Sequence, residues 1–408
     1  MNLKPLSVPS LPDLQPPASA LSAGANTGLN SSIQLKSPQE IFSQDQFQTM
    51  NLATGSVPHA APASETHYVN FSSMRGTKLD IPLYTSYGTP QSFSVKGRVI
   101  EAEASDPSVS DNWLDNLRRT AHQLKAEDKQ NLWVDITVLG QIHRVKTDHE
   151  GFFELKLSAP GLQETGYLPV QAQLVPGQKH YYSLPSLGKV VLQNPAEMSR
   201  GVISDIDDTI QVSHAVNKTK MMETLLFKNP YTQQPVPGMA EFLTALDRHA
   251  DGKIDGDVNY VSGSPLNIAP RLETFLTLHG FPEGAMDLKY MGLGAGRDNP
   301  TEQFNYKLGK IRTLFETYPN RSFVLVGDSG EKDPEVYREI ALEFPGRVQA
   351  VYIHNVTGSQ ASDARFQGMV LFDNADQAAA DAAARGLISG QEQMQVLAAV
   401  TQAAPQAY

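Results

Sequence analysis

Apolar and polar residues alternate between positions 133 and 175. In WVDITVLG, Val134, Ile136 and Val138 fall on one side, Asp135 and Thr137 on the other. FFELKLS sets Phe153, Leu155 and Leu157 against Glu154, Lys156 and Ser158, and VQAQLV repeats the pattern with Val170, Ala172 and Leu174. A period of two puts successive side chains on opposite faces of an extended strand, so these stretches predict half-buried strands. SFSVKGRVIEAE and GKVVLQ read as further strands, and KTDHEGF, with Asp148 and Gly151, as a turn. Over 110–125, Leu114, Leu117, Ala121 and Leu124 form a helical stripe behind a Ser110/Asp111 cap. Residues 76–197 are therefore expected to make a small antiparallel β-sandwich with one helical excursion.

From residue 198 the period changes. Apolar runs (GVISD, VNYVSGS, MDLKYM, SFVLVGD, RVQAVYIH) alternate with amphipathic stretches such as MAEFLTALDRHA, whose stripe is Met239, Phe242, Leu243 and Leu246. Strand–helix repetition predicts an α/β unit over 198–360: a Rossmann-like parallel sheet with helices on both faces. Such sheets bind ligands at the carboxyl ends of their strands. Those ends read DIDDT, SGSP and GDSGEKD. The flanks differ from both regions. Residues 1–75 are rich in Ser, Pro, Ala, Gln and Asn and poor in charge, the composition of a disordered tail. Residues 361–408 are Ala- and Gln-rich and are expected to be a partly helical, poorly packed tail.

Composition narrows the function classes. A net charge of −11 without a Lys/Arg block disfavours nucleic-acid binding. The absence of cysteine excludes disulfides, Cys-ligated zinc and a cysteine nucleophile. The longest apolar runs are too short to span a bilayer, so no transmembrane segment is expected. The N-terminal stretch lacks the apolar core of a usual secretory signal. The expected address is cytoplasmic, peripheral to a membrane, with export by another route left open. The sequence sets no oligomeric state.

The acidic run at 205–208 carries the chemistry. Asp205, Asp207 and Asp208 lie within four positions at a strand end, where like charges raise the cost of ionising one another. Asp205 and Asp207, with Asp328 at the end of another apolar strand, form a set suited to a hard cation such as Mg²⁺. Ser262 ends VNYVS and offers a hydroxyl to a phosphoryl oxygen. Lys307 lies early in a helix, and Lys310 shares roughly its face, so spacing does not decide which of the two serves the site. MGLGAGRD and DGKIDGD are weak look-alikes of a phosphate loop and a calcium loop. Beside the first motif, the apolar MMETLLF is read either as packing on the sheet or as touching an apolar part of a substrate, and His214 as a loop histidine rather than a substrate contact.

Taken together, DxDxT at 205–209, Ser262, Lys307 and GD…D at 327–333 resemble the haloacid dehalogenase superfamily of phosphotransferases. ISDIDDTI, PVPGMAEF, YVSGSP, YKL and FVLVGDSGEKDPEVY resemble, more narrowly, the catalytic domain of actin-patch type phosphatidate phosphatases and their bacterial relatives. VKGRV and TDHEGFF resemble the domain that accompanies it. The resemblance implies a Mg²⁺-dependent phosphatidate phosphatase releasing diacylglycerol. Asp205 would be the nucleophile, and Asp207 the proton shuttle. Mg²⁺ would be held by Asp205, the backbone of Asp207 and Asp328, with Asp333 supporting them. Ser262 and Lys307 would clamp phosphate, and Thr209 would orient the loop. The implied partner is a phospholipid at a membrane surface. The family often carries an aromatic residue where this chain has Leu266. The same chemistry on a phosphoprotein or a soluble phosphomonoester, or a scaffold without catalysis, are the alternatives.

Overall fold

The structure is a computed structural model that describes residues 76–102, 129–162, 165–212, 230–251, 256–290, 298 and 302–403. The predicted N-terminal tail, the 110–125 helix, His214, MMETLLF and the glycine-rich 291–297 stretch lie outside those residues.

The first part is β-rich. Its strands are β1 (Thr77–Asp80), β2 (Leu83–Tyr84), β3 (Ser86–Thr89), β4 (Ser92–Arg98), β5 (Ile100–Glu101) and β6 (Trp133–Val138). They continue with β7 (Gln141–Lys146), β8 (Phe152–Leu157), β9 (Gly166–Leu174), β10 (Tyr181–Ser183) and β11 (Ser186–Leu192). The larger sheet runs β2-β4-β3-β11-β9-β6-β7 with β8 on β4, and a smaller one runs β10-β1-β5. The alternation read from sequence holds in β6 and β9. Val134, Ile136 and Val138 are buried with Val170, Ala172 and Leu174 in one core that also takes Leu79, Val95 and Phe153. The antiparallel expectation needs correcting in two places: β3 runs parallel to β11, and β1 parallel to β10.

The second part is an α/β unit. Six parallel strands run in the order β14 (Ala285–Lys289), β13 (Val258–Pro265), β12 (Arg200–Ser204), β15 (Ser322–Asp328), β16 (Val348–His354), β17 (Val370–Phe372). Burial on both faces explains why these strands read as unbroken apolar runs. On one face Val202, Tyr260, Val324 and Tyr352 pack under α1 (Met239–Asp251) and α2 (Ala269–Leu278). On the other, Ile203, Val261, Leu325 and Ile353 pack under α3 (Gln303–Thr317) and α4 (Asp333–Glu343).

The stretch beyond 360, expected to be a poorly packed tail, completes the first of these layers instead. β17 extends the sheet, and α5 (Ala375–Ala384) and α6 (Gly390–Ala403) follow. Ala375, Ala378, Ala379 and Ala382 are fully buried in the same core as Phe242. Alanines spaced at three and four positions let a helix approach closely, which a composition-based reading takes for low complexity.

Both parts belong to one compact unit, Asn70–Tyr408. Edge strand β14 meets the β-rich part, where the Met286 N–H donates to the Thr85 carbonyl at 3.0 Å. Tyr84 and Phe152, from the β-rich part, are buried in the α/β core, and Phe152 sets its ring edge-on to Tyr290 at 4.5 Å between centroids.

Candidate active site

The carboxyl ends of β12, β13 and β15 bring the candidate residues together. Asp205 follows β12 directly. The chain then leaves the extended path: Ile210 N–H donates to the Ile206 carbonyl at 3.0 Å, and Asp208 takes a left-handed conformation with φ of 55°. Asp is among the few side chains that tolerate this region. His354 Nδ1 lies 2.6 Å from the Asp208 carbonyl, which can only accept, so this nitrogen carries the proton and secures the turn. The Thr209 hydroxyl donates to Asp205 Oδ2 at 3.2 Å.

Asp207 is held from three directions. Ser264 and Ser262 hydroxyls donate to its Oδ2 at 2.8 and 3.1 Å, and the Gln211 amide donates to Oδ1 at 2.9 Å. Ser262, expected to face phosphate, thus gives its proton to Asp207 and accepts the Ser264 N–H at 2.9 Å. Burial, then the nearby Glu331 charge, push the Asp207 carboxyl above its ordinary range, and these hydrogen bonds act the other way.

Lys307 and Lys310 are told apart by burial. Lys307 Nζ is fully buried, 2.8 Å from Asp205 Oδ1, 2.9 Å from Glu331 Oε2 and 2.6 Å from Asp333 Oδ1. Burial alone would lower its pKa, but the three carboxylates outweigh that and hold it well above the ordinary value. Lys310 is partly exposed and pairs with Asp287 at 3.4 Å.

Asp333, expected in the metal shell, is taken up elsewhere. Its Oδ1 accepts from Lys307 and its Oδ2 from the Asp328 N–H at 3.1 Å, which makes it a brace between the lysine and the strand end. Gly327 leaves room for that brace, because a Cβ there would meet Asp333 Oδ2 at 2.5 Å. The residue that joins Asp205 and Asp328 is Glu331: carboxylate oxygens of the three lie within 4.8 Å of one another. Glu331 sits in GDSGEKD, a stretch already marked as converging, and nothing in its spacing separates it from a solvated loop acid. Ser264 and Gln211 were likewise legible only as neighbours of motif residues.

The acidic trio fits a hard cation. Asp328 Oδ1 accepts the N–H groups of Gly330 and Glu331 at 2.6 and 3.1 Å. Its Oδ2 is buried without a hydrogen-bond partner among the described residues, whereas Asp205 Oδ1 is met by the Lys307 ammonium at 2.8 Å. Orphaned buried carboxylate oxygens are costly unless something positive meets them. Burial and the surrounding negative charges raise the pKa of both Asp205 and Asp328. Glu331 goes the opposite way: against its burial, Lys307 holds its carboxyl below the ordinary range.

Residues 200–355 match the family model of the phosphatidate phosphatase APP1 catalytic domain. The match covers the three strand ends that carry the site, and Lys307 on α3. The chain is also 32% identical over 161 residues to phosphatidate phosphatase APP1 of Saccharomyces cerevisiae, covering 40% of this chain and 27% of that one. It is 26% identical over 156 residues to an uncharacterized protein of Schizosaccharomyces pombe, 38% of this chain and 25% of that one. The chain thus spans about a quarter of the length of these curated relatives. Among solved structures, a carbohydrate acetylesterase from Xanthomonas citri covers 68% of each chain at 13% identity and a TM-score of 0.25, a likeness too slight to carry an argument.

Proposed function

We propose that the α/β part of this chain is a Mg²⁺-dependent phosphatase of the haloacid dehalogenase type and that its substrate is phosphatidate, which it cleaves to diacylglycerol and phosphate. The observation that carries the reading is Asp205. This carboxylate is buried at a strand end, paired with one lysine, and clustered with the carboxylates of Asp328 and Glu331. The similarity of residues 200–355 to the APP1 catalytic domain supports the choice of substrate.

In this reading an Asp205 oxygen attacks phosphorus, the ester oxygen leaves with diacylglycerol, and an aspartyl-phosphate forms. Asp207 gives its proton to the leaving oxygen and takes one from the water that later hydrolyses the acyl phosphate. Ser262, Ser264 and Gln211 hold Asp207 in place for both steps. Lys307 keeps Asp205 oriented and offsets the charge that accumulates beside it. Asp205, Asp328 and Glu331 would hold Mg²⁺, with Asp333 bracing the lysine. The ion would offset repulsion between the carboxylate and a phosphate dianion.

The test is phosphate release from phosphatidate vesicles and from soluble phosphomonoesters, each with Mg²⁺ and with EDTA. Mg²⁺-dependent release from phosphatidate, abolished by Asp205→Asn, is the expected result. Release from soluble esters alone would move the substrate away from lipid, and no release from any ester would leave a binding protein.

A further inference from the structure

A cavity of about 460 Å³ lies between the β-rich part and the β14 edge of the α/β unit. That is the size range of small-molecule sites. Its apolar lining comes from both sides: Tyr84, Phe152 and Phe153 from one, Leu266, Met286 and Leu288 from the other. Its charged groups are largely self-matched. Lys310 pairs with Asp287 at 3.4 Å, Lys96 with Glu154 at 4.0 Å, and Lys146 Nζ sits 5.5 Å over the Trp133 ring, while the remaining acids, Asp148 and Asp298, accept from the Tyr290 hydroxyl and from the Tyr290 N–H at 2.8 Å. Such a lining offers little to a second anion and favours an uncharged hydrocarbon.

The cavity adjoins the catalytic residues through two short stretches of chain. Leu266 is two positions beyond Ser264, the donor to Asp207. Lys310, also on the wall, is one helical turn beyond Lys307 on α3. A molecule with its phosphate at Asp205 and an apolar tail thus has an apolar compartment beside it.

Building on the phosphatase reading, we infer that this inter-unit cavity receives an acyl chain of the substrate. The β-rich part would then form half of the substrate site rather than serve as a separate accessory domain. Leu266, on the wall closest in sequence to Ser264, would set how much chain the cavity admits.

The experiment measures binding of methylphosphonate and decylphosphonate, neither of which can be hydrolysed as an ester, to the full chain with Mg²⁺ by calorimetry. The wild type is expected to bind decylphosphonate more than tenfold tighter. Leu266→Trp, which adds bulk to the cavity wall, is expected to shrink that preference at least fivefold, and Glu154→Trp at an exposed lining position offers a second block should the first fail to fold. Equal binding of the two phosphonates by the wild type would overturn the inference, as would a preference that survives both blocks. Phosphatidate turnover by the wild type is read separately. Turnover without an alkyl preference removes the cavity's role and leaves the phosphatase reading standing. An alkyl preference without turnover of phosphatidate removes the substrate reading and leaves the cavity as an alkyl site.

Discussion

Arg365 Nη1 donates to the Ser329 carbonyl at 2.5 Å. The same guanidinium donates to the Glu331 carbonyl and pairs with Glu335 at 3.0 Å. A residue beyond the match to the APP1 catalytic domain therefore ties down the loop that carries two members of the acidic trio. Groups that orient metal ligands without touching the metal commonly change affinity by about 10- to 100-fold when lost. Arg365→Ala is expected to weaken Mg²⁺ binding by a factor in that range, read by titrating Mg²⁺ into the activity assay and into a thermal-shift assay. Retention of wild-type Mg²⁺ affinity would show that the loop holds itself.

The charge balance around Lys307 predicts opposite outcomes for two substitutions. Lys307 serves Asp205, Glu331 and Asp333, all three close to its ammonium. Removing the cation leaves buried carboxylates uncompensated, a loss of about 3–5 kcal/mol. Lys307→Met should therefore lower the urea midpoint sharply as well as stop turnover. Asp205→Asn removes one charge from a crowded acidic cluster and leaves Lys307 two partners. It is expected to stop turnover while raising the stability of the metal-free protein by about 1 kcal/mol, the stability gain often seen when a strained catalytic group is neutralised. Equal destabilisation by both variants in EDTA would contradict this balance.

The acidic motif was legible because strand, spacing and charge coincide. An apolar run leading into Asp205 and Asp207, and another into Asp328, place these groups at neighbouring strand ends once a parallel sheet is granted. Glu331 and Asp333 were not separable by such logic, because both lie in a loop whose curvature is set by partners distant in sequence, Arg365 and Lys307. Lys307 and Lys310 sit one helical turn apart, and only burial against Asp205 distinguishes them. The apposition of Tyr84 and Phe152 on Tyr290 depends on how the two parts pack, which no local pattern encodes.

The C-terminal helices give a direct check on that packing. Ala375, Ala378, Ala379, Ala382 and Val396 are fully buried, and a Cβ on Gly238 would come within 2.6 Å of Val400 Cγ2. A chain ending at 373 retains the entire APP1 match but exposes the apolar surface beneath α5 and α6. It is expected to lose more than about 3 kcal/mol of stability, by the scale of burying several apolar side chains. Urea unfolding of the truncated chain against the full one measures this. A midpoint equal to that of the full chain would return the segment to the status of a tail.

Glu273 supplies a pH dependence outside the catalytic cluster. It lies on α2, and its Oε1 accepts the Thr85 N–H at 3.2 Å, so it joins the two parts of the molecule. Burial pushes its carboxyl from the ordinary 4.5 up to about 7, against the pull of the Thr85 hydrogen bonds and the Lys189 charge, while Glu283 adds to the rise. Below pH 4.5 both folded and unfolded chains hold the proton, and the folded state carries no penalty. As pH rises from 4.5 towards about 7 the unfolded chain releases the proton and the folded chain keeps it, so stability falls across that window. The loss is on the order of 3 kcal/mol and is complete above the folded value. Glu273→Gln keeps an acceptor for Thr85 and removes the proton. Its stability relative to wild type should therefore rise between pH 4.5 and 7 and stay level above that. Parallel unfolding curves for the two proteins across this range would place the Glu273 carboxyl at its ordinary value and remove this link between the two parts.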